Sequence, residues 1–292
     1  MGYLLAVLRA LITGVRTTFE KNYITNTKEV KFGLDIYMII IYPIATFFYF
    51  LMSGCNVSLN LPTLAFSVVF ALISISSNVC GMVGLNFATI VYLNVFSSAG
   101  GTVMVFIYEL LFTDATFSMW SVLAVILRVF AVSIPLLFTK GEKSMTKKGF
   151  LICIIYFVIQ GMAGIVSRMY VNNPHVMSTS SFFFWTNVFI MLIVFADIFR
   201  KNDIKALVSD AKKIGLKNYF YPLLNAIVGN VAVIVSFEIV RLLGGTISSI
   251  ITGSLGMITT VFVSTVIYKE GMSKQSAISI LLSIAAVILS VF

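Results

Sequence analysis

Apolar residues run along this chain in long blocks separated by short polar stretches. The blocks cover roughly residues 2–20, 32–52, 61–83, 88–112, 117–138, 149–171, 176–199, 218–242, 246–268 and 275–292. Each comes near the roughly 20 residues that a helix needs to cross a bilayer core, where backbone amides and carbonyls must find partners within the segment. The pattern predicts an all-α membrane protein with about ten transmembrane helices. The first block begins almost at Met1, carries Arg9 and Arg16, and lacks a small-residue cleavage site after a short apolar core. It is expected to remain in the fold rather than leave as a signal peptide.

The order of the blocks repeats. Gly14 is followed seven residues later by Lys21, and Gly161 seven residues later by Arg168. The fourth block of each half closes with a glutamate, in Tyr108-Glu109 and in Tyr268-Lys269-Glu270, and one last apolar span follows each. Five spans per half make the second copy enter the membrane from the opposite side, which predicts two inverted five-helix repeats. Residues 1–139 would form the first, 140–148 a cytoplasmic connector and 149–292 the second.

Charge in the connections is lopsided. Lys28 and Lys31 follow span one, Lys140, Lys143, Lys147 and Lys148 follow span five, and Arg200, Lys201, Lys205, Lys212, Lys213 and Lys217 follow span seven. The connections after spans two, four and six hold no lysine or arginine. Positive loops stay on the cytoplasmic side, so the odd-numbered loops are expected there, in the plasma membrane, with both termini outside. Residues 203–215 set Ile204, Leu207, Val208, Ala211 and Ile214 at helical spacing among lysines. They are read as an amphipathic helix on the anionic leaflet, with an ordinary solvated connector as the alternative. Asn56-Val57-Ser58 has the form of a glycosylation sequon.

Composition narrows the class further. Hydrophobic residues make up 59% of the chain and charged ones 11%, against about 25% charged in an ordinary globular domain. The lysines that contribute most to the formal charge of +9 lie in short loops, where they set orientation, so no nucleic-acid partner is expected. Cys55, Cys80 and Cys153 form no CxxC pair and read as small buried hydrophobes. His175, in the Asn172-Asn173-Pro174-His175 turn, is the one histidine, which makes neither a metal site nor a triad. With no Walker loop, HExxH or GxSxG, neither an enzyme nor a cofactor is expected, and ATP hydrolysis within this chain drives nothing.

On the pairs Gly14/Lys21 and Gly161/Arg168 and the span-ending Glu109 and Glu270, both halves resemble the drug/metabolite transporter superfamily, specifically its ten-span EamA-type members built from two five-helix units. The resemblance covers essentially the whole chain. Two features depart from it: Ile12-Thr13-Gly14-Val15-Arg16 stands where the first helix often carries Trp-Gly-x-Asn, and the outward termini oppose the inward termini of most relatives.

Span one holds the most unusual chemistry, because Arg9, Thr13, Arg16 and Glu20 recur at helical spacing as one polar stripe. A charge at the bilayer centre costs about 2.5–3.5 kcal/mol on insertion scales, so the stripe should face the bundle interior or a water-filled cavity. Arg16 and Glu20, four residues apart, could simply form an internal salt bridge, whereas an Arg16 that lines the cavity would offer a planar fork of donors suited to a carboxylate or phosphate. Arg128 and Arg168 add positive potential, whereas Glu20 has Arg16 nearby and Glu238 has Arg241. No clearly unpaired carboxylate sits deep in a span, which counts against efflux of cationic drugs.

Span three carries Ser74, Asn78 and Gly81, and span eight Asn225, Gly229 and Asn230, residues able to orient a substrate or to act as interhelical glue. The substrate-binding set read from the sequence is Arg16, Glu20, Thr13, Asn78, Asn94, Gln160, Arg168, Asn225 and Asn230. Tyr92, Tyr170 and Trp185 are read as packing rather than pocket wall. Asn94/Ser98/Gly101 and Ser249/Thr252/Gly256/Thr259 form small-residue seams, with Gly101 and Gly256 as their sensitive points. Glu109 and Glu270 are read as structural, bonding the start of the next helix or facing water.

The function expected is secondary transport of a small organic metabolite carrying a carboxylate or phosphate, by alternating access. Alternatives are a proton-coupled exporter of amino acids or amphipathic drugs with Glu20 as proton carrier, and a non-transporting scaffold or lipid-linked sugar handling protein. The partners expected are the substrate and the lipid bilayer, in a monomer or homodimer.

Overall fold

The computed structural model describes residues 1–84, 87, 90–113, 117–138, 147–201, 203–269 and 274–291. Among them the secondary structure is helical, with no strand: α1 (Gly2–Asn26), α2 (Gly33–Met52), α3 (Leu61–Gly84), α4 (Ile90–Phe112), α5 (Met119–Phe138), α6 (Lys147–Asn172), α7 (Thr179–Lys201), α8 (Ile204–Lys213), α9 (Leu216–Leu243), α10 (Gly245–Phe262) and α11 (Lys274–Leu289). A π turn over Val263–Ile267 prolongs α10.

Among the described residues six helices are long and apolar enough to cross a membrane: α2, α3, α6, α7, α9, and α10 with its π turn. The apolar parts of α4, α5 and α11 are shorter, at Phe96–Phe112, Met119–Ala131 and Ala277–Leu289. In α1 the stripe of Arg9, Arg16 and Glu20 dilutes the apolar run. Six full-length spans therefore stand where ten were expected, with the other long helices at the remaining predicted positions. Of the connector 140–148, Lys147 and Lys148 open α6, and residues 140–146 lie outside the described residues, as does Glu270.

The chain divides into two compact units. One takes residues 1–14, 76–172 and 235–292, the other 15–75 and 173–234, so α1, α3 and α9 each contribute to both. In the first unit α4 packs on α6 and on α10, and α5 on α11. Lipid tails are as apolar as leucine, so such helices associate through close fit rather than exclusion of water. Small residues provide the fit. A Cβ at Gly100 would collide with the Phe157 carbonyl of α6, one at Gly161 with Met104 of α4, and one at Gly14 with Thr259 of α10. The predicted close points Gly101 and Gly256 instead have nothing within 4 Å of a Cβ position. One residue is a 100° turn of the helix, so the contact moves from Gly101 to Gly100.

In the second unit α2 packs on α7. Met38, Tyr42, Ala71, Ile190, Val194 and Ile198 form its core. Tyr49, Phe70, Phe182 and Phe183 form a ring cluster beside it, with Tyr49 and Phe183 stacked at 5.2 Å. The outside of the helices is apolar as well: Leu61 is 77% exposed and Phe112 74%, a surface that suits lipid and would aggregate in water.

Candidate functional site

The second unit contains a polar cluster built by three helices. From α1, Arg16 and Glu20 share one face because they lie four residues apart, and Arg16 Nε donates to Glu20 Oε1 at 2.8 Å. From α9, Asn225 donates from Nδ2 to the same Glu20 oxygen at 3.2 Å and also to the Tyr37 hydroxyl of α2. Asn225 is buried, and its Oδ1 has no hydrogen-bond partner among the described residues. Gly229, one turn on in α9, borders Arg16: a Cβ there would lie in ordinary contact, 3.8 Å from Arg16 Cδ and Nε. Tyr37 packs on Tyr23 with ring centroids 4.9 Å apart, and Tyr49 donates its hydroxyl to the Asn230 carbonyl at 3.4 Å.

The ion pair is only half sealed. The Arg16 side chain is 36% exposed and that of Glu20 30%, whereas Asn225 and Tyr37 beneath them are buried. Such an arrangement holds the carboxylate in place from below and leaves one side of a guanidinium–carboxylate pair approachable. A small anion reaching Arg16 would compete with Glu20 for the planar donors.

The other predicted residues fall elsewhere. Thr13 turns back on its own helix, donating to the Arg9 carbonyl at 2.8 Å, and Arg9 donates to Ser236 of α9, all within the first unit. Gln160 donates to Ser77 Oγ at 2.6 Å, tying α6 to α3, and Asn78 is half-buried in α3. Asn230 donates to the Ala226 carbonyl of its own helix at 2.6 Å. The side chain of Asn94 lies outside the described residues. Arg16, Glu20 and Asn225 thus come together, Asn230 lies in the same unit with its side chain bonded to its own helix, and Thr13, Asn78, Gln160 and Arg168 belong to the first unit.

Arg168 takes part in a second buried arrangement. Its Nε lies 2.7 Å from Glu109 Oε1, and the carboxylate accepts from the backbone N–H groups of Gly245 and Thr246, both at 2.9 Å. Glu109 therefore caps the first turn of α10, where its charge meets the positive end of the helix, rather than the start of α5. Gly244 has φ of 79°, and a Cβ at Gly245 would lie 2.8 Å from Glu109 Oε1, so both glycines are needed for this approach. A third arrangement surrounds Arg128 of α5, which is fully buried and donates to Ser98 Oγ at 2.6 Å and Ser283 Oγ at 2.7 Å. Among the described residues no three His, Cys, Asp or Glu side chains gather as a metal site.

Tyr37 and Tyr49 escaped the sequence reading. The signal available was a tyrosine inside an apolar span, whose hydroxyl must find a partner when buried.

Long apolar helices enclosing a half-open ion pair define a multi-pass membrane protein with a polar site in its helical part. The model of the EamA-like transporter family matches residues 147–292, half of the chain, and the protein belongs to that family. It is accordingly a membrane transporter of small molecules. A solved structure described as "Crystal structure of protein" is similar over 100% of this chain and 98% of its own, with a TM-score of 0.66. At 13% identity that likeness shows the fold. No curated protein matches the sequence.

Proposed function

We propose that the protein is a secondary transporter of a small organic anion, carrying a carboxylate or a phosphate, and that Arg16 recognises the anionic group. The observation that carries this reading is the half-exposed Arg16–Glu20 pair, held from below by Asn225. Substrate binding would displace Glu20 from Arg16, and Glu20 would return when the substrate leaves. Arg16 would then be compensated in both states, and the displaced Glu20, still accepting from Asn225, would have to turn to water or take up a proton, since an uncompensated buried charge is expensive in a membrane. Energy comes from the substrate gradient, a counter-substrate or protons.

Access would alternate between two inverted five-helix repeats that span the plasma membrane ten times. Packing supports the repeat reading. If α1–α5 correspond in order to α6, α7, α9, α10 and α11, then α2 on α7, α4 on α10 and α5 on α11 each pair a helix with its own counterpart. Such pairings are compatible with a two-fold axis between repeats, which needs contacts to be reciprocal. The duplicated glycines agree, since Gly14 of α1 meets α10 and Gly161 of α6 meets α4. Loop charge supports termini that both lie outside.

The test is a thermal-shift screen of detergent-purified protein against carboxylates, phosphates, amines and neutral amphiphiles, with Arg16→Gln in parallel. A ligand that binds only the folded state raises its melting temperature by mass action. Anions that stabilise the wild type and not the variant support the reading. Equal responses of both proteins, or responses to amines alone, overturn it and favour an exporter.

A further inference from the structure

Helix α8 carries one apolar stripe, and only part of it is packed. Leu207 and Ala211, with Ile214 just past the helix end, cover Phe32 and Ile36 at the start of α2. Asp210 fixes this side, accepting from the Phe32 backbone N–H at 3.3 Å and from Lys213 Nζ at 2.7 Å. On the outer side Ile204 and Val208 remain 45% and 47% exposed, and Leu216, which opens α9, is 80% exposed. An open groove of about 400 Å³ lies between α8 and the start of α9, floored by the packed Leu207, Ala211, Ile214 and Tyr219 and edged by the exposed Val208 and Leu216, with Lys212 as its charged member.

The charge around the groove is of one sign. Asp203 is taken up by Lys31 at 3.2 Å and Asp210 by Lys213 at 2.7 Å. Lys205, Lys212 and Lys217 are exposed and have no ion-pair partner among the described residues. Because α7 and α9 are consecutive membrane-crossing helices, the segment between them lies at a bilayer surface. The occupant of this groove must therefore be apolar and anionic at once.

We propose that the α8–α9 groove binds an anionic phospholipid, with Lys212 and Lys217 at the headgroup phosphate and the first acyl carbons along Val208 and Leu216. A free anion would leave the aliphatic wall in water, and a zwitterionic lipid would leave the lysines without a counter-charge. The site is independent of the Arg16 cluster and of the substrate assigned to it.

The full-length protein in detergent is to be titrated with phosphatidylglycerol, phosphatidylcholine and inorganic phosphate, read by native mass spectrometry and thermal unfolding. Phosphatidylglycerol is expected to stay bound and to raise the unfolding temperature, with an apparent affinity at least about tenfold above phosphatidylcholine. Inorganic phosphate should have no effect. The Lys212→Gln/Lys217→Gln variant should lose the preference, the corresponding double arginine variant should keep it, and Leu216→Ser should weaken both lipids. Equal binding of the two lipids, mimicry by phosphate, or retained preference in the double glutamine variant overturns the proposal. So does equal loss in Lys147→Gln/Lys148→Gln, which would reduce the effect to net charge.

Discussion

Glu109 and Arg168 meet at 2.7 Å with the Glu109 side chain only 3% exposed, and the same carboxylate caps the first turn of α10. Three helices are joined at one point, since Glu109 ends α4, Arg168 lies near the end of α6, and Gly245 starts α10. Breaking a buried pair by neutralising one partner typically costs about 3–5 kcal/mol, because the other charge stays desolvated. Glu109→Gln and Arg168→Gln should each lower the unfolding temperature, and the double variant should lose clearly less than the sum. Additive losses in that cycle would show that the two side chains do not act as a pair.

Around Arg128 the order of effects should differ. The guanidinium is buried among Ser98, Ser283 and Met257, and among the described residues it meets no carboxylate and its Nε has no hydrogen-bond partner. Ser283→Ala leaves a buried charge short of one acceptor, at a cost of about 1–3 kcal/mol. Arg128→Met removes the desolvated charge together with its needs, so it should be tolerated better than Ser283→Ala. Comparative unfolding of the two variants in the same detergent decides, and the reverse order would sink the account.

Neighbouring glycines in α4 provide a positional test. Gly100 faces the Phe157 carbonyl, a backbone atom that cannot swing aside, whereas Gly101 opens on space. Gly100→Ala should therefore destabilise by about 1–3 kcal/mol through overpacking, and Gly101→Ala should be near neutral. Matching losses at the two positions would mean that α4 is rotated from the orientation described.

Cys55 reports orientation without engineering. It is exposed after the end of α2, whereas Cys80 is half-buried and Cys153 fully buried. With both termini outside, the α2–α3 connection faces outward, and a membrane-impermeant maleimide added to intact cells should label Cys55. Labelling only after the cells are opened would reverse the proposed topology.

Much of the fold is legible in the blocks of apolar residues, because a segment without water must close its hydrogen bonds as a helix. The Arg16–Glu20 pair is legible too, since spacing of four places both on one face. What joins them is not. Asn225 reaches Glu20 from 205 positions away, and nothing local marks it among several polar residues of α9. Glu109 lies next in sequence to α5 but caps α10, a choice made by three-dimensional packing and betrayed only by Gly244-Gly245-Thr246. In α8 the apolar pattern was visible, yet its division into a packed side and a bare one depends on where α2 happens to lie.

The crosswise seating of Gly14 on α10 and Gly161 on α4 bears on how this chain could be assembled or divided. Neither half keeps its glycine notch for itself, so a half synthesised alone would leave a fitted groove facing lipid and waiting for its complement. Severing the chain between α5 and α6 should thus yield fragments that are degraded singly and rescued when made together.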